Sequence, residues 1–145
     1  MRRFSFKLER LLKLREHAEK DWETRLGKAT SRCTACIREI RRKNESHARI
    51  LAGRSPGTGI QDLVSSELYM LRMREEAASL RKDLQKFEKE RAEIQKKFLE
   101  ASKERKILQK LKERKEQEFY REQKKDEMKA LDDLNTGAAA RKAAV

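Results

Sequence analysis

The sequence predicts an all-α fold, a two-helix antiparallel coiled-coil hairpin with a longer second helix, forming a single domain over residues 1–145. Three observations lead there. Charged residues make up 43% of the 145 and aromatics 6%, an excess that must stay wet and leaves little for a globular core. The only proline, Pro56, and three of the five glycines fall together in Gly53-Arg54-Ser55-Pro56-Gly57-Thr58-Gly59, where free glycine backbone and a missing proline N–H punctuate structure. On either side apolar residues recur at helical spacing, which argues against a disordered polycation.

The first helix is expected over about residues 5–52. Its seam is read as Leu11, Leu14, Ala18, Trp22, Leu26, Ala29, Cys33, Cys36, Ile40, Lys43, His47 and Ile50. The steps of four from Leu14 to Leu26 amount to a stutter, which would locally unwind a supercoil. Small Ala18, Ala29 and Cys33 would let the partner helix approach closely. The turn is placed at 53–59. The second helix is expected over about 60–134, with a frayed tail at 135–145. Its a/d positions run Met70, Met73, Ala77, Leu80, Leu84, Phe87, Arg91, Ile94, Phe98, Ala101, Arg105, Leu108, Lys112, Lys115 and Phe119. Eleven of these 15 are apolar and the 3-4 spacing never slips, the pattern of a left-handed coiled coil.

A fold-back pivoting at Pro56 pairs residues whose numbers total roughly 112, given 1.5 Å rise on both helices. Phe4 then lies near Leu108. The second helix overruns from there, exposing Leu108, Leu111, Phe119, Tyr120, Met128, Leu131 and Leu134. A thin seam of this kind implies marginal stability, since ordering each residue costs about 1–2 kcal/mol.

Chemical sites are weighed against packing. Cys33-Thr34-Ala35-Cys36 is a C-x-x-C, but it falls mid-helix at consecutive seam positions, where cysteine serves as a small hydrophobe. Redox or zinc chemistry is the alternative, though zinc needs two further ligands. His17 and His47 are lone histidines, read as solvated or seam residues. The carboxylates have no enclosure to tune them for acid–base work, and no Lys-Ser/Thr follows the glycines as a phosphate loop requires. The chain is therefore read as a non-enzyme with no cofactor and no metal. Neither a signal peptide nor the roughly 18 apolar residues of a membrane span is visible, so a cytoplasmic protein with reduced thiols is expected.

The net charge of +13 is the broadest signal. It divides as +9 for residues 1–54, −2 for 55–80, +6 for 81–129 and 0 for 130–145, giving a mildly acidic tip and a basic shaft and open end. A polycationic shaft can bind nucleic acid through counterion release, but the bases are interleaved with acids and no aromatic platform accompanies them. An acidic protein cavity would attract the same charge. A basic coiled-coil adaptor for nucleic acid or a cytoskeletal partner is thus the alternative function, with no specific nucleic-acid site assigned.

The opening Phe4-x-Phe6-Lys7-Leu8-Glu9-Arg10-Leu11-Leu12-Lys13-Leu14-Arg15-Glu16, followed by Leu26 and Ala29, resembles the N-terminal signature of the FliJ family, small components of the flagellar type III export apparatus. Gln123-Lys124-Lys125-Asp126-Glu127-Met128-Lys129-Ala130-Leu131-Asp132-Asp133 resembles that family's C-terminal basic stretch followed by Leu-Asp-Glu, with Asp133 in place of the last residue. The resemblance implies an antiparallel coiled coil similar to the stalk of rotary ATPases, monomeric when free and peripherally associated with the membrane through the apparatus. It implies that both terminal ends insert in the hexameric export ATPase ring. It further implies that the turn-proximal part meets the cytoplasmic domain of the export-gate membrane protein, and that export chaperones are recycled. Carried onto this chain, the ring-facing residues are Arg2, Arg3, Phe4, Phe6, Leu8, Lys112, Lys115, Phe119 and Tyr120. The gate-facing ones are His47, Ile50, Tyr69, Met70, Met73 and Ala77. On the first helix, Ile40, His47 and Ile50 stand where the family has aromatics.

Overall fold

The computed structural model describes residues 2–145. The architecture is all-α: helix α1 spans Glu9–Ala52 (44 residues) and helix α2 spans Ile60–Ala143 (84 residues), with no strand among the described residues. Residue contacts group the chain into two compact units. One is Glu19–Ala101. The other is Met1–Ala18 with Ser102–Val145, of which Met1 lies outside the described residues.

In the Glu19–Ala101 unit the two helices run antiparallel. Trp22 meets Lys97, Cys36 meets Leu80, Lys43 meets Glu76 and Arg54 meets Glu67, so contact numbers rise on α1 as they fall on α2. These pairs total 116–121, not the 112 expected from a symmetric pivot at Pro56. The reason lies in the connection. Residues 53–59 do not fold into a tight cap. Gly53 donates to Arg49 O at 3.0 Å to end α1, and Leu63 donates to Gly59 O at 3.1 Å to begin α2. Between them Arg54 reaches Glu67 and Ser66, so the loop climbs beside the first two turns of α2. Those turns therefore overshoot the end of α1, and every later pairing shifts with them.

The same register holds within the terminal unit. Glu9 pairs with Lys112 at 2.9 Å, Arg15 with Glu104, and the Phe4 ring lies 5.7 Å from Phe119. Phe4 thus faces Phe119, correcting the expected Leu108, and the unmatched part of α2 begins near Tyr120 instead of Leu108. Spin labels at positions 4 and 119 are expected to read a distance roughly 10 Å shorter than labels at 4 and 108, given 1.5 Å rise per residue. The reverse order would restore the symmetric pivot.

Burial along α1 also corrects the expected seam. Leu12 is buried, while Leu11 and Leu14 are exposed. Buried or half-buried positions at seam spacing are Leu12, Arg15, Glu19, Trp22, Leu26, Ala29, Cys33, Cys36, Ile40, Lys43, His47 and Ile50, with Glu9, Ala18, Glu39 and Ser46 half-buried beside them. The 3-4 alternation is unbroken, and the stutter disappears. Arg15 occupies a seam slot because its aliphatic stem can cover apolar surface while its guanidinium reaches out to Glu104. On α2 the expected a/d positions are all buried or half-buried except Lys115.

Both ends differ from the sequence expectation. Residues 2–6 are non-helical, and α1 starts at Glu9 instead of about residue 5. Phe4 and Phe6 are half-buried while Arg3 and Ser5 are exposed, the period-2 alternation of an extended segment. At the other end α2 continues through Gly137 to Ala143, where a frayed tail was expected from 135. A glycine inside a helix costs about 1 kcal/mol relative to alanine, and the adjoining Ala138-Ala139-Ala140 are the best helix formers available.

Candidate functional site

The terminal unit gathers most of the residues expected to face the ring. Residues Arg3–Leu8, extended to Phe6 and then turning into α1, lie along α2 and, with Leu111, Lys115, Glu118, Phe119 and Glu122, line an open groove of about 630 Å³. Phe4 tilts against Phe119 at 53°, and Phe119 meets Tyr120 edge-on at 5.6 Å. Edge-to-face and tilted aromatic pairs of this kind add about 0.5–1.5 kcal/mol beyond their area, so the groove wall is held in place before anything binds. A second groove of about 650 Å³ shares Arg3 and adds Arg2, Tyr120, Gln123, Lys124 and Glu127. Arg2, Arg3, Phe4, Phe6, Leu8, Lys115, Phe119 and Tyr120 thus converge on one end.

Lys112 lines neither groove. Its ammonium is held by Glu9, and Lys115 by Glu118 at 3.0 Å, so both of these cations are already balanced by the chain's own acids. Arg2, Arg3 and Lys7 have no ion-pair partner among the described residues and carry the local positive charge. The hydrogen bond to Glu9 raises the Lys112 pKa above its ordinary range, partial burial opposes this, and the charges of Glu9, Glu116 and Glu16 add to the rise. A raised lysine pKa stabilises the fold below the unfolded value, and that contribution disappears as pH climbs through the folded one. The melting temperature of wild type relative to Lys112→Met is therefore expected to be constant from pH 7 to 9. The difference should shrink above about pH 10.4, measured by circular dichroism, and a difference growing with pH contradicts the pairing.

In the other unit the residues expected to face the gate fall into two groups. Met70, Met73 and Ala77 are buried at 2%, 7% and 3% exposure and belong to the seam. Tyr69 is exposed, while His47 and Ile50 are half-buried. His47 accepts a hydrogen bond at Nε2 from Arg74 Nε at 3.3 Å, and beside it Lys43, Asn44 and Met73 line a small cleft. The apolar surface that does face solvent was not singled out from the sequence: Ile60, Val64, Leu68 and Leu71 at 81%, 53%, 63% and 52% exposure. Their 4-4-3 spacing places them on one helix face, about 140° from Met70, Met73 and Ala77 at 100° per residue. That second stripe was the available signal.

Cys33 and Cys36 are buried free thiols, and Cys36 donates to Leu80 O at 3.1 Å across the helix pair. Burial, then the charges of Asp83 and Cys33, push the Cys36 thiol up. A reactive redox cysteine needs the opposite shift, so packing accounts for the pair. Arg25 and Lys97 lie 4.6 and 5.2 Å from the Trp22 ring centroid, and the Lys97 cation–π contact ties α2 to α1. Among the described residues no group of three or more His, Cys, Asp or Glu could hold a metal ion, and no helix is long and apolar enough to cross a membrane.

Two long helices paired antiparallel within each unit, with an aromatic groove in one unit and an exposed apolar stripe in the other, define the class as an all-α coiled-coil protein. The model of the flagellar FliJ protein family matches residues 4–144, nearly the whole chain. The chain belongs to the FliJ family and is a component of the flagellar export apparatus. No curated protein and no solved structure gives a match.

Proposed function

We propose that this protein is a coiled-coil stalk whose terminal end seats in the hexameric export ATPase ring. Its tip then meets the cytoplasmic domain of the export-gate membrane protein, and export chaperones dock on it in turn. In this reading it works in the cytoplasm, peripherally attached to the membrane through the apparatus. The observation that carries the reading is the convergence of Phe4, Phe119 and Tyr120 with unpaired Arg2 and Arg3 at one end. Beyond it α2 runs on with Met128, Leu131 and Leu134 exposed. Aromatic and arginine side chains around an apolar groove are the composition of interface hot spots, and the surplus positive charge suits a ring lumen lined with acids.

At the tip, the exposed Ile60, Val64, Leu68 and Leu71 replace the buried Met70, Met73 and Ala77 as the surface offered to the gate, with Tyr69 and Ile50 at its margin. Titrating the full chain onto the cognate export ATPase is expected to raise both hydrolysis and the hexameric fraction in sedimentation. A variant ending after residue 110 should lose both effects, because it lacks Phe119 and Tyr120. Unchanged hydrolysis and sedimentation at saturating protein would remove the stalk role.

A further inference from the structure

We infer that the outer flank of α1 in the Glu19–Ala101 unit is a binding surface for nucleic acid, engaging the phosphate backbone without reading sequence. Acids make up 25 of the 145 residues, so 15 consecutive residues should carry between two and three. Residues 24–38 carry none, while Arg25, Lys28, Arg32 and Arg38 all fall within them. Over residues 24–44 the net charge is +6.

The fold turns this sequence bias into a surface. At 100° per residue, Lys28, Arg32 and Arg38 lie within an arc of about 120° whose centre points away from buried Ala29, Cys33 and Cys36. All three are exposed, and none has an ion-pair partner among the described residues, unlike Lys43 with Glu76 or Arg54 with Glu67 farther along. Ser31 and Ala35 stand between them, too short to shield the cations from an approaching polymer.

The choice of nucleic acid over an acidic protein rests on what the flank lacks. Specific protein interfaces are anchored by buried aromatic or aliphatic side chains. The exposed large apolar residues of this unit gather chiefly at the tip, from Leu51 to Leu71, and Ile37 is the one near the flank. Arginine and lysine without apolar anchors suit phosphate, where displaced counterions supply the affinity, and a planar guanidinium can bind two phosphate oxygens at once. The site is independent of the ATPase-facing end, and the two readings stand or fall separately.

The test uses fluorescence anisotropy of a labelled 20-base-pair DNA duplex and a labelled single-stranded RNA, titrated with the full chain at several salt concentrations. Micromolar binding with a steep salt dependence is expected. Lys28→Ala/Arg32→Ala/Arg38→Ala should weaken it roughly tenfold or more and lower the log–log salt slope by about 2 to 3, one unit per lost phosphate contact. Lys82→Ala/Lys86→Ala/Lys89→Ala removes the same charge from exposed positions of α2 and should do markedly less. Equal losses in the two triple variants would mean that net charge and not this flank binds the polymer, overturning the assignment. So would absence of binding at 50 mM salt, or binding to anionic lipid vesicles in its place. Circular dichroism of both variants separates lost binding from lost helix, and stimulation of the export ATPase should persist in both.

Discussion

Replacing Phe4 and Phe119 together by alanine is expected to abolish stimulation of the export ATPase while leaving helix content close to wild type. The two rings lie 5.7 Å apart, and Phe119 also supports Tyr120 at 5.6 Å, so the double variant removes the wall of the groove and frees the segment Arg3–Leu8 from α2. Segment and groove lie at the end of the terminal unit, outside the 3-4 seam of α1, so the helices should stay intact. Losing a hot-spot side chain costs at least about 2 kcal/mol, which is roughly 30-fold in dissociation constant, and two such losses put half-saturation beyond practical concentrations. Steady-state hydrolysis against protein concentration reads the effect directly. If the double variant stimulates with an unchanged midpoint, this groove does not contact the ring.

The second large effect separates the two apolar faces at the tip. Met70→Asp is expected to unfold much of the Glu19–Ala101 unit, because Met70 is 2% exposed and removing an unpaired carboxylate from water carries an effective penalty of several kcal/mol. A two-helix seam has little reserve against such a loss, as even ordinary domains are stable by only about 5–15 kcal/mol. Leu68→Asp, two positions earlier and 63% exposed, should leave the melting curve almost unchanged, as surface substitutions usually fall within about 0.5 kcal/mol. It should nevertheless weaken binding to the gate's cytoplasmic domain at least tenfold, since it breaks the stripe of Ile60, Val64, Leu68 and Leu71. Thermal denaturation and titration calorimetry decide the matter. A stable Leu68→Asp chain with full gate affinity removes the stripe from the interface, and a normally folded Met70→Asp chain contradicts the seam.

Sequence and structure agree best where a pattern repeats. The heptads from Met70 to Leu108 were legible because ten or more turns report the same phase, and one misassigned residue cannot shift it. In α1 the phase was misread at its start. Leu11 and Leu14 outrank Arg15 and Glu19 on any hydrophobicity scale, yet the helix turns Leu11 and Leu14 outward and keeps Arg15 in the seam with its charge led out to Glu104. The first helix, expected from about residue 5, would include Phe6 and Leu8, whereas residues 2–6 are non-helical and Lys7 and Leu8 form the turn that leads into α1. The spacing of two between Phe4 and Phe6 is an extended-chain signal that the following helical pattern obscured.

By itself, the sequence determined two helices, the position of their single break, the seam of the longer one and the family. All of these follow from local composition and from periodicity, which every turn of helix restates. Register belonged to the tertiary structure alone. It depends on the path of residues 53–59, and the latch of Arg54 on Glu67 lets α2 overshoot α1 by two turns. With that shift Phe4 meets Phe119, and the first two turns of α2, which carry Ile60 and Val64, extend past the end of α1. A heptad specifies which face of a helix is buried, but sliding two such faces by a whole heptad preserves the apolar pattern. Only the loop and the cross-helix ion pairs distinguish one alignment from the next.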